Sequence, residues 1–268
     1  MADSAVLKTE IKKHVAWLTL NRPEKRNAMN LELLQGLMDI FADFDRNPDI
    51  RVVVIKGEGK SFCAGMELAA LAGLLESSTA DYREMLRSEI VRFQDSMTIL
   101  ERCRKPVIAA IHGACIGGGV DLSSACDIRI ASADAYFSVR ETKLALVADL
   151  GTLQRLPAIV GEPWARELAL TGRNFSAEEA RSMNFITHLL DDAAKLMEKA
   201  EELAEEIASC SPLAVQGVKD VMRFGKQFGV EAGLRYVAQK NAAILICDDA
   251  MEAITAHIEK RKPDFKGR

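Results

Sequence analysis

The sequence predicts an α/β protein with a largely parallel sheet, followed by a helical C-terminal region. Short apolar runs at residues 14–20, 51–56 and 106–111 alternate with longer segments whose apolar residues recur at helical spacing. This alternation is typical of βαβ crossovers, which build parallel sheets. Residues 192–260 are predicted to be helical almost throughout, and their apolar stripes need a surface to pack on.

Composition is that of an ordinary globular protein. With 268 residues, 49% of them hydrophobic, the chain is long enough to bury a large core. The formal net charge of −4 argues against a surface that binds nucleic acid in general. We expect a core domain over residues 1–195 and a helical region over residues 196–268.

Cysteine usage and the two chain ends predict a cytoplasmic protein. The six cysteines form no CxxC pair, so we expect reduced thiols rather than disulfides or zinc ligands. The segment before the strand-like run at Val15 is shorter than a secretory or transit peptide, and Lys266-Gly267-Arg268 differs from a peroxisomal signal. We find no apolar run of transmembrane length.

Local signals define the first elements. Residues 14–20 form an apolar strand that a polar turn closes. Asn30 is a suitable N-cap for a helix whose apolar residues recur until Asn47-Pro48 ends the pattern. Residues 51–56 are apolar enough for a strand that is buried on both faces.

The later elements are predicted by the same signals. Further strands are expected at 106–111, 127–131, 135–139 and 185–190. Further helices are expected at 82–102, 151–160 and 163–170, with a capping box at 176–179. Breaks in the C-terminal helices are expected near Pro212, Gly229 and Asp248.

Two loops follow predicted buried strands, at residues 62–68 and 112–119. Because open parallel sheets bind ligands at the carboxyl ends of their strands, we expect these loops to border a cleft. Gly57–Ser61 has some likeness to a phosphate-binding loop, but that pattern requires glycine where the chain has Val54. A phosphate loop is therefore not predicted.

The candidate active site begins with three consecutive glycines, 117–119, and continues with Asp121, Glu141 and Asp149 among apolar residues. Glycines allow a backbone to approach a ligand closely. A carboxylate in apolar surroundings is costly unless it is paired or its pKa rises. This pattern indicates acid/base chemistry next to an exposed stretch of backbone.

Simpler interpretations of the three carboxylates stay open. Asp121 would satisfy backbone donors at a helix start, Glu141 would be an exposed loop charge, and Asp149 would be a turn residue before a glycine. A divalent metal site is disfavoured because no histidine clusters with them. We expect no metal.

Four motifs resemble the enoyl-CoA hydratase/isomerase (crotonase) superfamily over nearly the whole chain. They are Asn21-Arg-Pro-x-x-x-Asn27-Ala28, Phe62-Cys-Ala-Gly-x-x-Leu68, Ile116-Gly-Gly-Gly-x-Asp121 and Gly151-Thr-x-Gln-Arg-Leu156. Each motif alone is weak evidence, whereas four in order with similar spacing are specific.

The resemblance implies a spiral core of repeated ββα units that binds a coenzyme A thioester, with coenzyme A as part of the substrate and no separate cofactor. It also implies C-terminal helices that assemble a homotrimer or a dimer of trimers. An oxyanion hole is implied at the backbone N–H groups of Met66 and Gly118. Two such donors suit a reaction that places negative charge on a thioester oxygen.

Within the superfamily, the acidic trio is similar to that of Δ3,5-Δ2,4-dienoyl-CoA isomerases of fatty acid β-oxidation. That resemblance implies that Glu141 serves C2, that Asp149 serves C6 and that Asp121 orients a partner or tunes a pKa. Two alternatives stay open. One is a 2-trans-enoyl-CoA hydratase, in which Asp121 and Glu141 converge on one water; the other is a non-catalytic homologue that binds RNA or protein.

The resemblance identifies the contacts to coenzyme A less specifically than the catalytic residues. The matching positions are Arg26, Ala28, Ala64, Gly65, Glu67, Leu68 and Gly119. Glu67 departs from the family's usual aspartate, and Lys25 with Arg26 would face the 3′-phosphate unless the turn is simply solvated. We expect the segment at 70–95 to set the acyl-chain length.

Overall fold

A computed structural model describes residues 5–69 and 77–268. Its main sheet has six strands in the spatial order β1-β2-β3-β4-β6-β9. These are β1 (Leu7–Lys12), β2 (Val15–Leu20), β3 (Val52–Gly57), β4 (Val107–Ile111), β6 (Ile128–Ser132) and β9 (His188–Leu190). A second sheet holds β5 (Ala114–Ile116), β7 (Tyr136–Ser138) and β8 (Phe175–Ser176).

Helices flank both faces of the main sheet. The first six are α1 (Leu31–Arg46), α2 (Ala80–Arg102), α3 (Gly118–Ser124), α4 (Thr152–Val160), α5 (Glu162–Thr171) and α6 (Ala177–Ser182). The C-terminal four are α7 (Ala193–Ser209), α8 (Pro212–Phe228), α9 (Val230–Ile244) and α10 (Asp248–Glu259). Short 3₁₀ turns cover Pro23–Lys25 and Glu141–Leu144.

The predicted α/β architecture with a helical C-terminal region is confirmed, and so are its local signals. The Asn30 side chain accepts a hydrogen bond from the N–H of Leu33 and caps α1, which ends at Arg46. The capping box at Ser176 and Glu179 is formed in both directions. From β2 to β9 the strands of the main sheet are parallel, as predicted.

Several features of the sheets differ from the sequence-based expectation, among them the short strands β5 and β8, which form where a loop and a helix start were predicted. The edge strand β1 was not expected; it pairs antiparallel with β2, and its lysines and glutamate point to solvent, as is common at an exposed edge. The consecutive strands β6 and β7 lie in different sheets. Strand periodicity identifies an element without identifying its neighbour, which is why the pattern missed this separation.

Helix α7 covers one face of the main sheet. Its stripe of Leu196, Ala200, Ala204 and Ala208 packs on apolar side chains of β2, β3, β4 and β6. The opposite face packs against the remaining core, which includes α1 and α2. The expected boundary between residues 195 and 196 therefore falls within a helix that packs on the sheet.

The last three helices expose much apolar surface in the single chain. Helix α8 is attached to the core by Lys219, whose ammonium lies 2.7 Å from the Asp127 carboxylate and donates to the carbonyl groups of Leu100 and Lys105. The exposed apolar side chains are Val218, Met222, Phe228, Val230, Leu234, Leu245, Ile246, Met251, Ile254 and Ile258. Over residues 5–69 and 77–268, the helices lack the length and apolarity needed to cross a membrane.

Candidate active site

Two loops meet at the ends of parallel strands, as the sequence predicted. The N–H of Cys63 donates to Ala114 at 2.9 Å, and the N–H of Ile116 donates back to Cys63 at 2.9 Å. These bonds hold residues 62–68 against residues 113–119. The first loop is fixed on its other side by the turn that follows β2, since the N–H of Ala64 donates to the carbonyl of Arg26.

The N–H groups of Met66 and Gly118 lie close together and are free to bind a ligand. Met29 bonds to the carbonyl of Gly65 and to the N–H of Glu67, so the N–H of Met66, between them, points away from Met29. A methyl group on Gly118 would lie 3.6 Å from the nitrogen of Met66. In the described part of the chain, neither N–H donates to a protein acceptor.

Glycine is required at this junction because the backbones approach closely. Gly65 and Gly117 have φ angles of 95° and 52°, in the left-handed region. A methyl group on Gly119 would lie 2.7 Å from the carbonyl oxygen of Cys63. Gly119, predicted to contact coenzyme A, is thus buried against the neighbouring loop. This close packing explains why glycine occupies position 119.

Glu141 lies just after β7 and faces the glycine loop. The N–H of Gly117 donates to the carbonyl of Ser138 at 2.9 Å, which joins the loop to β7. The Oε2 atom of Glu141 is buried and has no hydrogen-bond partner in the described part of the chain. Burial raises the pKa of this carboxyl from 4.5 to about 7, and the charges of Asp121 and Asp149 add to the rise.

Asp121 is buried at the start of α3, with 1% of its surface exposed. Its Oδ1 atom accepts hydrogen bonds of 2.7 Å from both the N–H and the hydroxyl of Thr152. Burial raises its pKa to about 6, although these bonds oppose the rise. The carboxylate does satisfy a helix-start donor, as the simpler interpretation proposed, but the donor belongs to α4 rather than to α3.

Asp149 lies in the irregular segment between the Glu141 turn and α4. Its carbonyl accepts a hydrogen bond of 2.8 Å from Nε2 of Gln94 on α2. Although the side chain is exposed, partial desolvation by the surrounding protein raises the pKa of its carboxyl. Its charge also raises the pKa values of Asp121 and Glu141, so the three predicted carboxylates form one electrostatic group.

Arg155, which the sequence placed in the Gly151–Leu156 motif without a role, anchors the Asp149 segment. Its guanidinium donates to the carbonyl of Leu150 at 3.0 Å, to the hydroxyl of Thr98 at 3.1 Å and to Glu101 at 2.9 Å. A methyl group on Gly151 would lie 1.7 Å from this guanidinium, which explains why position 151 is a glycine. The signal was present, because both residues belong to the Gly151–Leu156 motif.

A polar cleft of about 550 Å³ opens beside Asp149. Side chains of α2, α4 and α8 line it, among them Gln94, Gln154, Arg223 and Lys226. Asp149 therefore lies between the buried carboxylates and solvent.

The positions predicted to contact coenzyme A surround the first oxyanion donor. Glu67 pairs with Arg22 at 2.7 Å and with Lys25 at 3.5 Å, and the Arg22 hydrogen bond lowers its pKa. Lys25 is thus engaged by Glu67, while Arg26 is exposed. Arg22 was missed, although it stands inside the Asn21–Ala28 motif.

The remaining predicted contacts differ in accessibility. Ala28 is buried, Ala64 is partly exposed, and Leu68 is 63% exposed. Residues 70–76, in the segment predicted to set chain length, lie outside the described residues. Among the residues that the structure describes, no three His, Cys, Asp or Glu side chains are grouped so as to hold a metal ion.

The chain is similar to known proteins in family, sequence and fold. Residues 10–268 match the family model described as enoyl-CoA hydratase/isomerase. The chain is 48% identical over 253 residues to the peroxisomal Δ(3,5)-Δ(2,4)-dienoyl-CoA isomerase of Arabidopsis thaliana, covering 92% of this chain and 91% of the relative. It is 44% identical over 256 residues to the mitochondrial enzyme of the same name from Dictyostelium discoideum, covering 94% and 87%.

A solved structure shows a similar fold. The enoyl-CoA hydratase of Bacillus anthracis superposes with a TM-score of 0.91 at 36% identity, and the match covers 98% of this chain and 100% of that chain.

Proposed function

The chain belongs to the enoyl-CoA hydratase/isomerase family, and we propose that it is an isomerase that converts a 3,5-dienoyl-CoA into the 2,4-dienoyl-CoA in fatty acid β-oxidation. One observation carries the proposal: three carboxylates with raised pKa values interact beside two free backbone N–H groups. The names of the two dienoyl-CoA isomerases described above agree with it.

The reaction moves one proton and shifts two double bonds. A base removes a proton from C2, and the electron pair spreads over the thioester oxygen and carbons 2, 4 and 6. An acid then protonates C6, so that bonds C3=C4 and C5=C6 are replaced by C2=C3 and C4=C5. Substrate and product have the same atoms, and the acid and the base must act at separated points on the acyl chain.

The negative charge of the intermediate needs stabilisation at the thioester oxygen. The N–H groups of Met66 and Gly118 are oriented for this role by the backbone bonds of their loops. One such preorganised donor contributes about 3 kcal/mol to transition-state stabilisation. We assign the oxyanion hole to these two residues.

Each carboxylate has an environment that suits a distinct role. Glu141, next to the glycine loop and with a pKa of about 7, is the base at C2. Asp149, on the side of the cleft, is the acid at C6. Asp121 is held by Thr152 and tunes the pKa of Glu141 through its charge. Between turnovers Glu141 loses its proton to solvent and Asp149 regains one.

The hydratase alternative is less well supported. It requires Asp121 and Glu141 to hold a single attacking water, yet Asp121 is 1% exposed and its Oδ1 atom already accepts two hydrogen bonds. A non-catalytic homologue that binds RNA or protein would have no use for carboxyl groups with raised pKa values beside free N–H groups.

A paired assay tests the function. The purified protein is incubated with a 3,5-dienoyl-CoA and, separately, with crotonyl-CoA, and both conversions are followed by ultraviolet absorbance. We expect efficient formation of the 2,4-dienoyl thioester and slow hydration of crotonyl-CoA. Efficient hydration without isomerisation would establish the hydratase instead, and salt-dependent RNA binding without any turnover would favour the non-catalytic homologue.

We also propose that the protein assembles as a homotrimer or a dimer of trimers. Helices α8 to α10 supply the exposed apolar side chains that a subunit interface would bury. Sedimentation equilibrium measures the mass directly, and a monomer at micromolar concentration would refute the assembly. The cytoplasmic location stays a prediction, since the two relatives are named peroxisomal and mitochondrial.

A further inference from the structure

We propose that Gln94 is a positioning residue, through which helix α2 holds Asp149 in place to deliver the proton at C6. The inference rests on the proposed function, because it assigns Asp149 to the second half of that reaction. It concerns a residue outside the family motifs, on a helix that none of the predicted site residues occupies.

One face of α2 supports the Asp149 segment at two neighbouring points. Gln94 donates to the carbonyl of Asp149 itself at 2.8 Å. Thr98 and Glu101 hold the guanidinium of Arg155, which in turn donates to the carbonyl of Leu150. Residues 94, 98 and 101 lie four and three positions apart, so they share one helix face.

Core packing and these hydrogen bonds together hold the segment. Ala148 and Leu150, on either side of Asp149, are buried in the core, whereas residues 146–149 have no regular secondary structure and the Asp149 side chain is exposed. In the described part of the chain, its carboxylate forms no ion pair with a lysine or arginine. The packing of Ala148 and Leu150 sets where the segment lies, and the hydrogen bonds from Gln94 and Arg155 fix the backbone from which the acid projects. A displacement of about 1 Å in an acid/base group can cost about a hundredfold in rate.

The base at the other end of the reaction has separate supports. Glu141 begins a 3₁₀ turn whose next residue, Thr142, bonds to the carbonyl of Ala169 on α5. The N–H of Gly117 donates to the carbonyl of Ser138 at 2.9 Å, which joins the strand before Glu141 to the glycine loop. None of these bonds involves α2, so removing the Gln94 amide should disturb the C6 end and spare the C2 end.

Separate measurements of proton removal at C2 and of the complete isomerisation distinguish this proposal from a general structural role. Gln94→Leu removes the donor, and Gln35→Leu is the matched control, because Gln35 is an exposed helix residue that donates to Asp39 of its own helix and does not line the cleft. For each variant, isomerisation of a 3,5-dienoyl-CoA is measured in ²H₂O. Mass spectrometry of the recovered substrate reports deuterium that has entered C2.

We expect the kcat of isomerisation in Gln94→Leu to fall by about tenfold or more, while KM and the rate of deuterium entry at C2 stay within about twofold of the wild type. The control should keep all three quantities within about twofold. Gln94→Lys restores a donor on a flexible chain and should recover part of the lost kcat.

Three results would overturn the inference: unchanged isomerisation in Gln94→Leu, equal loss of isomerisation and C2 exchange, or an equal loss in Gln35→Leu. Thermal unfolding verifies that each variant is folded. If Gln94→Leu fails to fold, Gln94→Glu takes its place, because it keeps the side-chain size and removes the donor. A wild-type protein that neither isomerises nor exchanges would instead refute the proposed function.

Discussion

The carboxylate of Glu141 lies beside the backbone of Gly117, so that a methyl group on this glycine would be 3.0 Å from Oε1. The next residue along the loop, Gly118, carries one of the two free N–H groups. A proton acceptor thus lies against the residue that precedes an oxyanion donor in the glycine loop. A thioester whose oxygen binds Gly118 would bring its α carbon toward Glu141.

Replacing Gly118 by alanine should block the oxyanion hole without disrupting the fold. Gly118 does not have a positive φ, so alanine fits its backbone. Its methyl group would lie 3.6 Å from the Met66 nitrogen and 3.2 Å from the flexible end of Met29. We expect kcat/KM for isomerisation to fall about a hundredfold.

Gly225→Ala is the control for this substitution, because a methyl group there meets no atom within 4 Å. It should leave kcat/KM unchanged and raise stability by about 0.5–1 kcal/mol, the usual gain for alanine over glycine in a helix interior. Full activity in Gly118→Ala would mean that the thioester oxygen binds elsewhere.

Abstraction of the C2 proton should depend on the ionisation of Glu141. Because the base must be ionised and its pKa is about 7, loss of deuterium from a C2-deuterated substrate should speed up as pH rises through about 7. In Asp121→Asn the Thr152 hydrogen bonds can persist while a charge that raises this pKa is removed. The rise in the rate of deuterium loss should therefore occur at lower pH than in the wild type. An unchanged pH profile would contradict the electrostatic coupling between Asp121 and Glu141.

Glu141→Gln should stabilise the protein at high pH. The folded pKa of Glu141, about 7, exceeds its ordinary value of 4.5, so folding favours the protonated form. The wild type accordingly loses stability as pH rises from 4.5 to about 7, whereas glutamine does not titrate. We expect a gain on the order of 1 kcal/mol at pH 8, and none near pH 4.

Thermal unfolding at the two pH values measures this difference. Glu198→Gln, on the exposed part of α7, is the control and should match the wild type at both values. A gain in Glu141→Gln that is equal at both pH values would exclude ionisation as its cause.

Asp149→Asn should separate the two halves of the reaction. The variant cannot donate a proton at C6, so isomerisation should fall by about 10²–10⁴-fold, the range for loss of a general acid. Loss of deuterium from C2 should continue, because Glu141 is unchanged. Stability should change little, since the side chain is exposed. Intact isomerisation would exclude Asp149 as the acid.

Local structure was largely predictable from the sequence. Asn30 caps α1 and Ser176 opens a capping box, because both signals involve residues only three positions apart. Strand β3 was predicted to be buried on both faces from its apolar run alone, and α7 and the opposite core do cover it. The sequence also marked the candidate site, because carboxylates follow consecutive glycines, and the chemistry assigned to them stays a prediction.

The tertiary structure decided which of these residues meet. The sequence could not place β6 and β7 in separate sheets, nor pair Asp121 with Thr152 or Gln94 with Asp149. The partners in these two pairs are 31 and 55 positions apart, and no periodic pattern links residues across such a distance. The sequence by itself therefore determined the elements, the family resemblance and the acidic trio. Only the folded structure buries these carboxylates enough to raise their pKa values and brings α2 against Asp149. Both features depend on contacts between distant segments.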